Sequence, residues 1–113
     1  SMSAFSPICN PMNAPWGRKA FTAYLGKDEA TWHNHDASEL MRRATQFIPA
    51  KVDQGGADDF LIEQLKPESL AVAAKASNYP LELRTHEGYD HSYYFISSFI
   101  DEHLRFHVEH LNK

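Results

Sequence analysis

The residue with the most specific chemical potential is His91, which lies in the stretch GYDHSYYF at 88–95, between a predicted strand and a predicted helix. Three acids lie upstream, at Asp53, Asp58 and Asp59, after another predicted strand. An acid that accepts a hydrogen bond from one imidazole nitrogen fixes the tautomer, so that the other nitrogen can take a proton from a nucleophile. The pattern predicts two thirds of a Ser-Asp-His hydrolase site without choosing among the acids. The alternative is structural: Asp58 or Asp59 caps the following helical turn, and His91 packs at a helix start.

Strands and helices alternate after residue 48, and this order would bring the acids and His91 together. Short apolar runs and alternation predict strands at 3–8, 48–52 and 81–85. Helical spacing predicts helices at 18–25, 39–46, 67–76 and 92–111, with short helical turns at 29–32 and 60–65. A β-α-β-α order implies parallel strands with right-handed crossovers. Because ligands and catalytic groups gather at the carboxyl ends of such strands, the sequence predicts an α/β fold with the site at that edge.

Local signals set several element boundaries. Gly26 is placed to end the helix at 18–25 in a left-handed conformation. Asp36 starts a capping box that opens the next helix, and Pro67 fits the first position of the helix at 67–76. The pair Gly55 and Gly56 is predicted to end the strand at 48–52, because glycines permit backbone angles that strands do not use.

Composition excludes several classes of function. The 113 residues carry a formal charge of -4 with the two signs mixed, so no basic stripe is available for nucleic acid, which is not a predicted partner. Cys9 is the only cysteine, which excludes a disulfide framework and favours a cytoplasmic location. No segment approaches the ~20 apolar residues of a membrane span, so no membrane association is predicted.

Two further features receive structural interpretations. His103, His107 and His110 share helical spacing, and two histidines four residues apart can chelate a zinc or nickel ion. No carboxylate or cysteine ligand is fixed nearby, so we interpret them as packed or solvated surface histidines and predict no metal site. Cys9 has no basic neighbour in the sequence and is interpreted as a small buried apolar residue rather than a reactive thiol.

Four stretches share their order and approximate spacing with one known family. They are SAFSPICNP at 3–11, PWGRKAFTAYLG at 15–26, DQGGADDFL at 53–61 and EGYDHSYYFISSFIDEHLRFH at 87–107. Together they resemble the C-terminal part of S-formylglutathione hydrolase, also known as esterase D, over nearly the whole chain. The resemblance implies a cytoplasmic, commonly dimeric serine esterase of the α/β-hydrolase fold. Such enzymes hydrolyse S-formylglutathione to formate and glutathione in formaldehyde detoxification, without a metal or bound cofactor.

The resemblance also implies roles for particular residues. His91 matches the catalytic base and Asp58 the triad acid, a choice that the residue pattern alone left open. Trp16 falls where the family has a tryptophan near the acyl pocket and is the substrate-pocket candidate. A core tryptophan that anchors the surface is the alternative for Trp16.

The neighbouring residues are then expected to be structural. Asp59 becomes the cap of the helical turn, and Asp53 becomes a strand-end residue whose carboxylate ties down the glycine turn. Tyr93 and Tyr94 are assigned mainly to packing.

One departure from the family is large. The nucleophile of an α/β-hydrolase lies in Gly-x-Ser-x-Gly on a strand-to-helix elbow, and no serine here has glycines at that spacing. We therefore expect residues 1–113 to be the C-terminal fragment of a single α/β-hydrolase domain, completed by a missing N-terminal segment that carries the nucleophilic serine. The chain alone should have essentially no esterase activity. The alternative is a catalytically inert fragment that serves as an interaction or domain-swapped module.

Overall fold

A three-stranded parallel sheet forms the centre of the computed structural model, which describes residues 1–112. The strands are β1 (Met2–Phe5), β2 (Ala50–Gly55) and β3 (Leu81–His86), in the order β1-β2-β3. The helices are α1 (Pro15–Leu25), α2 (Ala37–Arg42), α3 (Pro67–Ser77) and α4 (Tyr93–Leu111), with short helical turns at Pro11–Asn13, Glu29–His35 and Leu61–Leu65. The predicted α/β class with parallel strands is confirmed.

Helix ends follow the local chemistry of the sequence. Pro15 and Pro67 occupy the first turns of α1 and α3, where a missing amide hydrogen costs nothing. Asp36 accepts a hydrogen bond from the Glu39 amide (3.1 Å) at the start of α2. Gly26, with a φ of 90°, follows α1 in a conformation that side chains disfavour. These signals set where the helices begin and end.

The two faces of the sheet differ in chemistry because side chains alternate along each strand. Val52 packs with Ala4 and Leu83 against α2 and α3, in a core whose buried members are Cys9, Met41, Val52, Leu70, Ala73 and Ala74. The opposite face carries Asp53, in register with Phe5 and Arg84, and meets α4. The polar face therefore lies under the helix that follows the His91 loop.

α4 is the longest helix, with 19 residues, and it buries Phe95 and His103 against this polar face. Its other sides are solvent-exposed, as Leu104 and Val108 show. Within residues 1–112, none of the helices combines the length and hydropathy that a membrane span requires.

Several element boundaries differ from the sequence expectation. α1 begins at Pro15 rather than at residue 18. β1 ends at Phe5, because Ser6 takes a positive φ of 50° that breaks strand geometry. α2 spans Ala37–Arg42 rather than the predicted 39–46. β2 begins and ends later than predicted, so that Asp53 lies inside the strand instead of in the turn after it.

The glycine pair has a different role from the predicted one. Gly55 and Gly56 are absent from the positive-φ glycines among residues 1–112, and Gly55 still pairs with His86 in the sheet. A Cβ on Gly55 would lie 2.4 Å from the carbonyl oxygen of Tyr89. Gly55 is therefore needed for the close approach of the loop that carries His91, not for a strand-ending angle.

Candidate active site

His91 and Asp58 meet at the carboxyl edge of the sheet. His91 lies in the segment 87–92 between β3 and α4, here called the histidine loop, and its Nδ1 is 2.7 Å from Asp58 Oδ2. The His91 side chain is 44% exposed, whereas that of Asp58 is fully covered. Because the carboxylate can only accept, Nδ1 carries the hydrogen and Nε2 is left as the basic nitrogen. This is the arrangement of an oriented general base.

The Asp58 carboxylate is held by more than His91. Oδ2 also accepts a hydrogen bond from Gln54 Nε2 (3.0 Å), and Oδ1 accepts one from the Phe60 amide (2.8 Å). The cap of this turn was expected at Asp59, and that expectation is wrong. An aspartate commonly bonds the amide two residues on, and Asp58 does so with one oxygen while the other meets His91.

An aromatic row leads away from His91. The Phe60 ring stands edge-on to the His91 ring, with centroids 5.5 Å apart, and the Trp16 ring lies 4.7 Å from Phe60. Trp16 is 46% exposed, and its amide donates to Gln64 Oε1 (2.9 Å). The structure thus brings Trp16 to the same side as the Asp58–His91 pair, although Trp16 does not touch His91 in this row.

A second surface beside His91 is concave. A cavity of about 340 Å³ lies between the end of β1 and the start of α4. Its lining residues are Phe5, Ser6, His91, Ser92, Tyr93, Phe95 and Ile96. His91 therefore faces open space that another group or segment can enter.

Tyr93 and Tyr94 do not pack as expected. Tyr93 is 88% exposed and Tyr94 is 73% exposed, although Tyr94 stacks on Tyr89 at a centroid distance of 5.8 Å. The first turn of α4 points both phenols outward, and Phe95 fills the interior instead.

The prediction for Asp53 is also wrong, because its carboxylate does not tie down the glycine turn. Its buried carboxylate pairs with His86 Nε2 (2.7 Å), Arg84 Nε (2.9 Å) and Lys51 Nζ (3.6 Å), and with His103 Nε2 on α4. Burial raises its pKa, but the hydrogen bonds from Arg84, His86 and His103 outweigh that effect and lower the pKa to about 2. Asp53 therefore stays ionised and joins β2, β3 and α4.

His103 is a core residue rather than a surface histidine. It is 2% exposed and stacks on Phe5 at a centroid distance of 3.9 Å. Burial lowers its pKa despite the hydrogen bond to Asp53. Its Nδ1 has no partner among the described residues, so protonation would create a buried donor without an acceptor. The neutral form with hydrogen on Nε2 fits this environment.

The other two helical histidines make separate contacts. His107 lies between the Ser1 and Ser3 hydroxyls at 2.7 and 2.8 Å, and His110 packs on the Phe106 ring. Across residues 1–112, no three histidine, cysteine or acidic side chains are grouped as metal ligands.

Cys9 is buried in the apolar core, at 1% exposure. Burial, with the nearby charges of Asp36 and Glu68, raises the pKa of its thiol to about 12. The thiolate is therefore disfavoured, which agrees with the interpretation of Cys9 as a packing residue.

The comparison with known families decides the class of protein. The model of the esterase family, described as "Putative esterase", matches residues 1–106. The chain belongs to this esterase family. A solved S-formylglutathione hydrolase from Agrobacterium tumefaciens is 46% identical, and the match covers 95% of this chain with a TM-score of 0.89. The same match covers 39% of that relative, so the present esterase chain spans less than half of the relative's length.

These matches confirm the family resemblance and the α/β-hydrolase fold inferred from the sequence. The catalytic roles of Asp58 and His91 and the pocket role of Trp16 remain predictions. Sequence reasoning missed Gln54, which holds Asp58, and His86, which lies under the histidine loop. The contacts of both residues depend on the register of β2 and β3, which the residue pattern did not specify.

Proposed function

We propose that this chain supplies the acid and the base of a serine esterase triad, with Asp58 orienting His91. The observation that carries the proposal is the 2.7 Å contact between Asp58 and His91 at the carboxyl edge of a parallel sheet, in a member of an esterase family. Such a pair activates a serine hydroxyl when Nε2 of the histidine is free to take its proton.

The proposed mechanism has two acyl-transfer steps. His91 Nε2 takes the proton of a serine as its oxygen attacks the thioester carbonyl, and Asp58 stabilises the imidazolium that forms. His91 then returns the proton to the departing thiolate, which leaves an acyl-serine. Water attacks this ester with His91 again as the base, which releases the carboxylic acid product and the free serine.

We propose that the serine comes from a segment outside these 113 residues. No Gly-x-Ser-x-Gly motif occurs in the chain. Two features of the structure provide room for such a segment. β1 lies at the edge of the sheet with β2 on one side only, and the cavity beside His91 opens next to the end of β1.

For the substrate we propose S-formylglutathione, hydrolysed to formate and glutathione in formaldehyde detoxification. Support comes from the 46% identity to a protein whose name states that activity. We extend the proposal to a cytoplasmic location and a homodimer of the completed enzyme. Trp16 and Phe60 would bound the acyl side of the site, because their rings form the row that ends at His91.

Reconstitution tests this function. The chain is mixed with a companion polypeptide, the part of the Agrobacterium tumefaciens relative that the match does not cover, and thiol release from S-formylglutathione is followed. We expect hydrolysis by the mixture and none by either part. His91→Ala should reduce the rate by about 10³-fold or more, whereas His33→Ala, at an exposed histidine, should leave it unchanged. No hydrolysis by a mixture shown to associate would favour the inert interaction module.

A further inference from the structure

The buried Asp53 and the partly buried His86 form a contact that the proposed mechanism does not use. The Asp53 carboxylate on β2 meets Arg84 and His86 on β3 and His103 on α4. Arg84 Nη2 also reaches Glu102 on α4 at 2.6 Å. One carboxylate therefore ties together the two elements that flank the histidine loop.

His86 connects the Asp53 contact to the histidine loop. It is the last residue of β3, five positions before His91, and its ring stacks on Phe99 of α4 at a centroid distance of 3.8 Å. Its carbonyl accepts a hydrogen bond from the Gly56 amide (2.8 Å). His86 is thus fixed through its ring, its Nε2 and its backbone at the origin of the loop.

The loop leaves little room for an alternative position. The carbonyl oxygens of Tyr89 and Asp90 lie 2.4 and 2.7 Å from where a Cβ on Gly55 would be. The Tyr89 carbonyl also accepts a hydrogen bond from the Ala57 amide (2.9 Å). The Tyr89 amide in turn donates to the His86 carbonyl (3.4 Å), so a shift of His86 would move the backbone that sets the 2.7 Å contact between His91 and Asp58.

We propose that Asp53 and His86 are positioning residues, whose bond holds the histidine loop so that His91 meets Asp58. This inference rests on the proposed role of His91 as the base. In this proposal, a pair of residues outside the triad fixes where the base lies. Asp53 and His86 act through the loop and do not touch the reacting atoms.

The first test is a spectroscopic one on the full 113-residue chain. The Nδ1–H signal of His91, identified by its loss in His91→Ala, is followed by NMR in His86→Leu and in the control His33→Leu. Circular dichroism defines temperatures at which each variant is folded. We expect the signal to persist in the control and to broaden or disappear in folded His86→Leu. His86→Asn, which stays polar but is too short to reach Asp53, replaces the leucine variant if that variant does not fold.

The second test separates positioning from folding by rescue. In the mixture with the companion polypeptide, His86→Leu should lower kcat by about 10²-fold, with KM changed less than about twofold. His86→Gln keeps an amide donor near the position of Nε2 and should restore most of kcat. If His86 had a purely structural role, His86→Leu would lower the melting temperature. It would not lower kcat with KM nearly unchanged, and His86→Gln would not restore kcat.

The two proposals fail in different ways. If the wild-type mixture does not hydrolyse the thioester, the proposed function fails, while the NMR signal still reports whether His86 positions His91. If folded His86→Leu or His86→Asn keeps the His91 signal of the wild-type chain, the positioning role is wrong.

Discussion

Asp53→Asn should destabilise the chain by about 2 to 5 kcal/mol at pH 7. The pKa of Asp53 is lowered from 3.8 to about 2, and that difference corresponds to about 2 kcal/mol of preference for the ionised form. Removing one member of a buried ion pair costs more, about 3 to 5 kcal/mol, because the partner is left uncompensated. Here the partners would be Arg84 and the nearly covered Lys51.

The pH dependence of this loss has a defined sign. The pKa of Asp53 is lower in the folded chain, so its contribution is present above pH 3.8 and is lost as the pH falls towards about 2. The pKa of His103 is also lowered, from 6.5, so the unfolded chain takes up that proton first and wild-type stability declines below about pH 6.5. The difference between wild type and Asp53→Asn should therefore be smaller at pH 3 than at pH 7.

Urea unfolding followed by circular dichroism measures both quantities. Asp59→Asn is the matched control, because Asp59 is exposed and its substitution should change the free energy of unfolding by less than about 0.5 kcal/mol. A loss below about 1 kcal/mol for Asp53→Asn at pH 7 would refute the assignment of Asp53 as a buried, paired charge.

The remaining predictions concern the acid, a glycine and the thiol. Asp58→Asn should lower kcat of the reconstituted enzyme by about 10³- to 10⁴-fold, because His91 loses the acceptor that fixes its tautomer. Asp59→Asn should stay within about twofold, and equal losses would count against Asp58 as the acid. Gly55→Ala should lose about 2 to 3 kcal/mol in urea unfolding, since its Cβ meets backbone at 2.4 Å, whereas Gly56→Ala, with its nearest atom at 3.4 Å, should lose less. A reversed order would contradict the close approach. Cys9 should react with iodoacetamide at pH 8 only after unfolding, because its pKa is about 12, and rapid labelling of the native chain would show that the thiol is accessible.

The sequence predicted the elements whose signals are local. The spacing of apolar residues placed α4 within one residue of its observed start, and Pro67 marked the start of α3 correctly. The capping pattern identified Asp36 as the cap of α2, although that helix begins at Ala37 rather than at residue 39. The family resemblance, carried by the motifs around Asp58 and His91, was confirmed by the family match and by the solved relative.

What the sequence missed depends on register. The turn signal of Gly55 and Gly56 suggested that β2 ends before Asp53, yet pairing with β3 continues to Gly55. Inside the longer strand, the Asp53 side chain faces α4 and contacts His103. Helical spacing alone had assigned His103 to the surface. Strand ends and side-chain direction are set by neighbours distant in sequence, so the Asp53 contacts had no local signal.

The same limit applies to the site. The alternation of strands and helices predicted that the acids after one strand and His91 after the next lie at one edge of the sheet. It could not select Asp58 among those acids. The selection came from the family motif, and the structure shows its geometric consequence: one Asp58 oxygen meets His91 and the other meets the Phe60 amide.

The most direct test of the central claim is to find where a serine-directed fluorophosphonate reacts. The reagent is added to the mixture of this chain and the companion polypeptide, and the labelled peptide is identified by mass spectrometry. We predict labelling of a serine on the companion, no label on residues 1–113, and a large loss of labelling rate with His91→Ala. Labelling of a serine in this chain, or an unchanged rate with His91→Ala, would contradict the claim that the chain provides the acid and base but not the nucleophile.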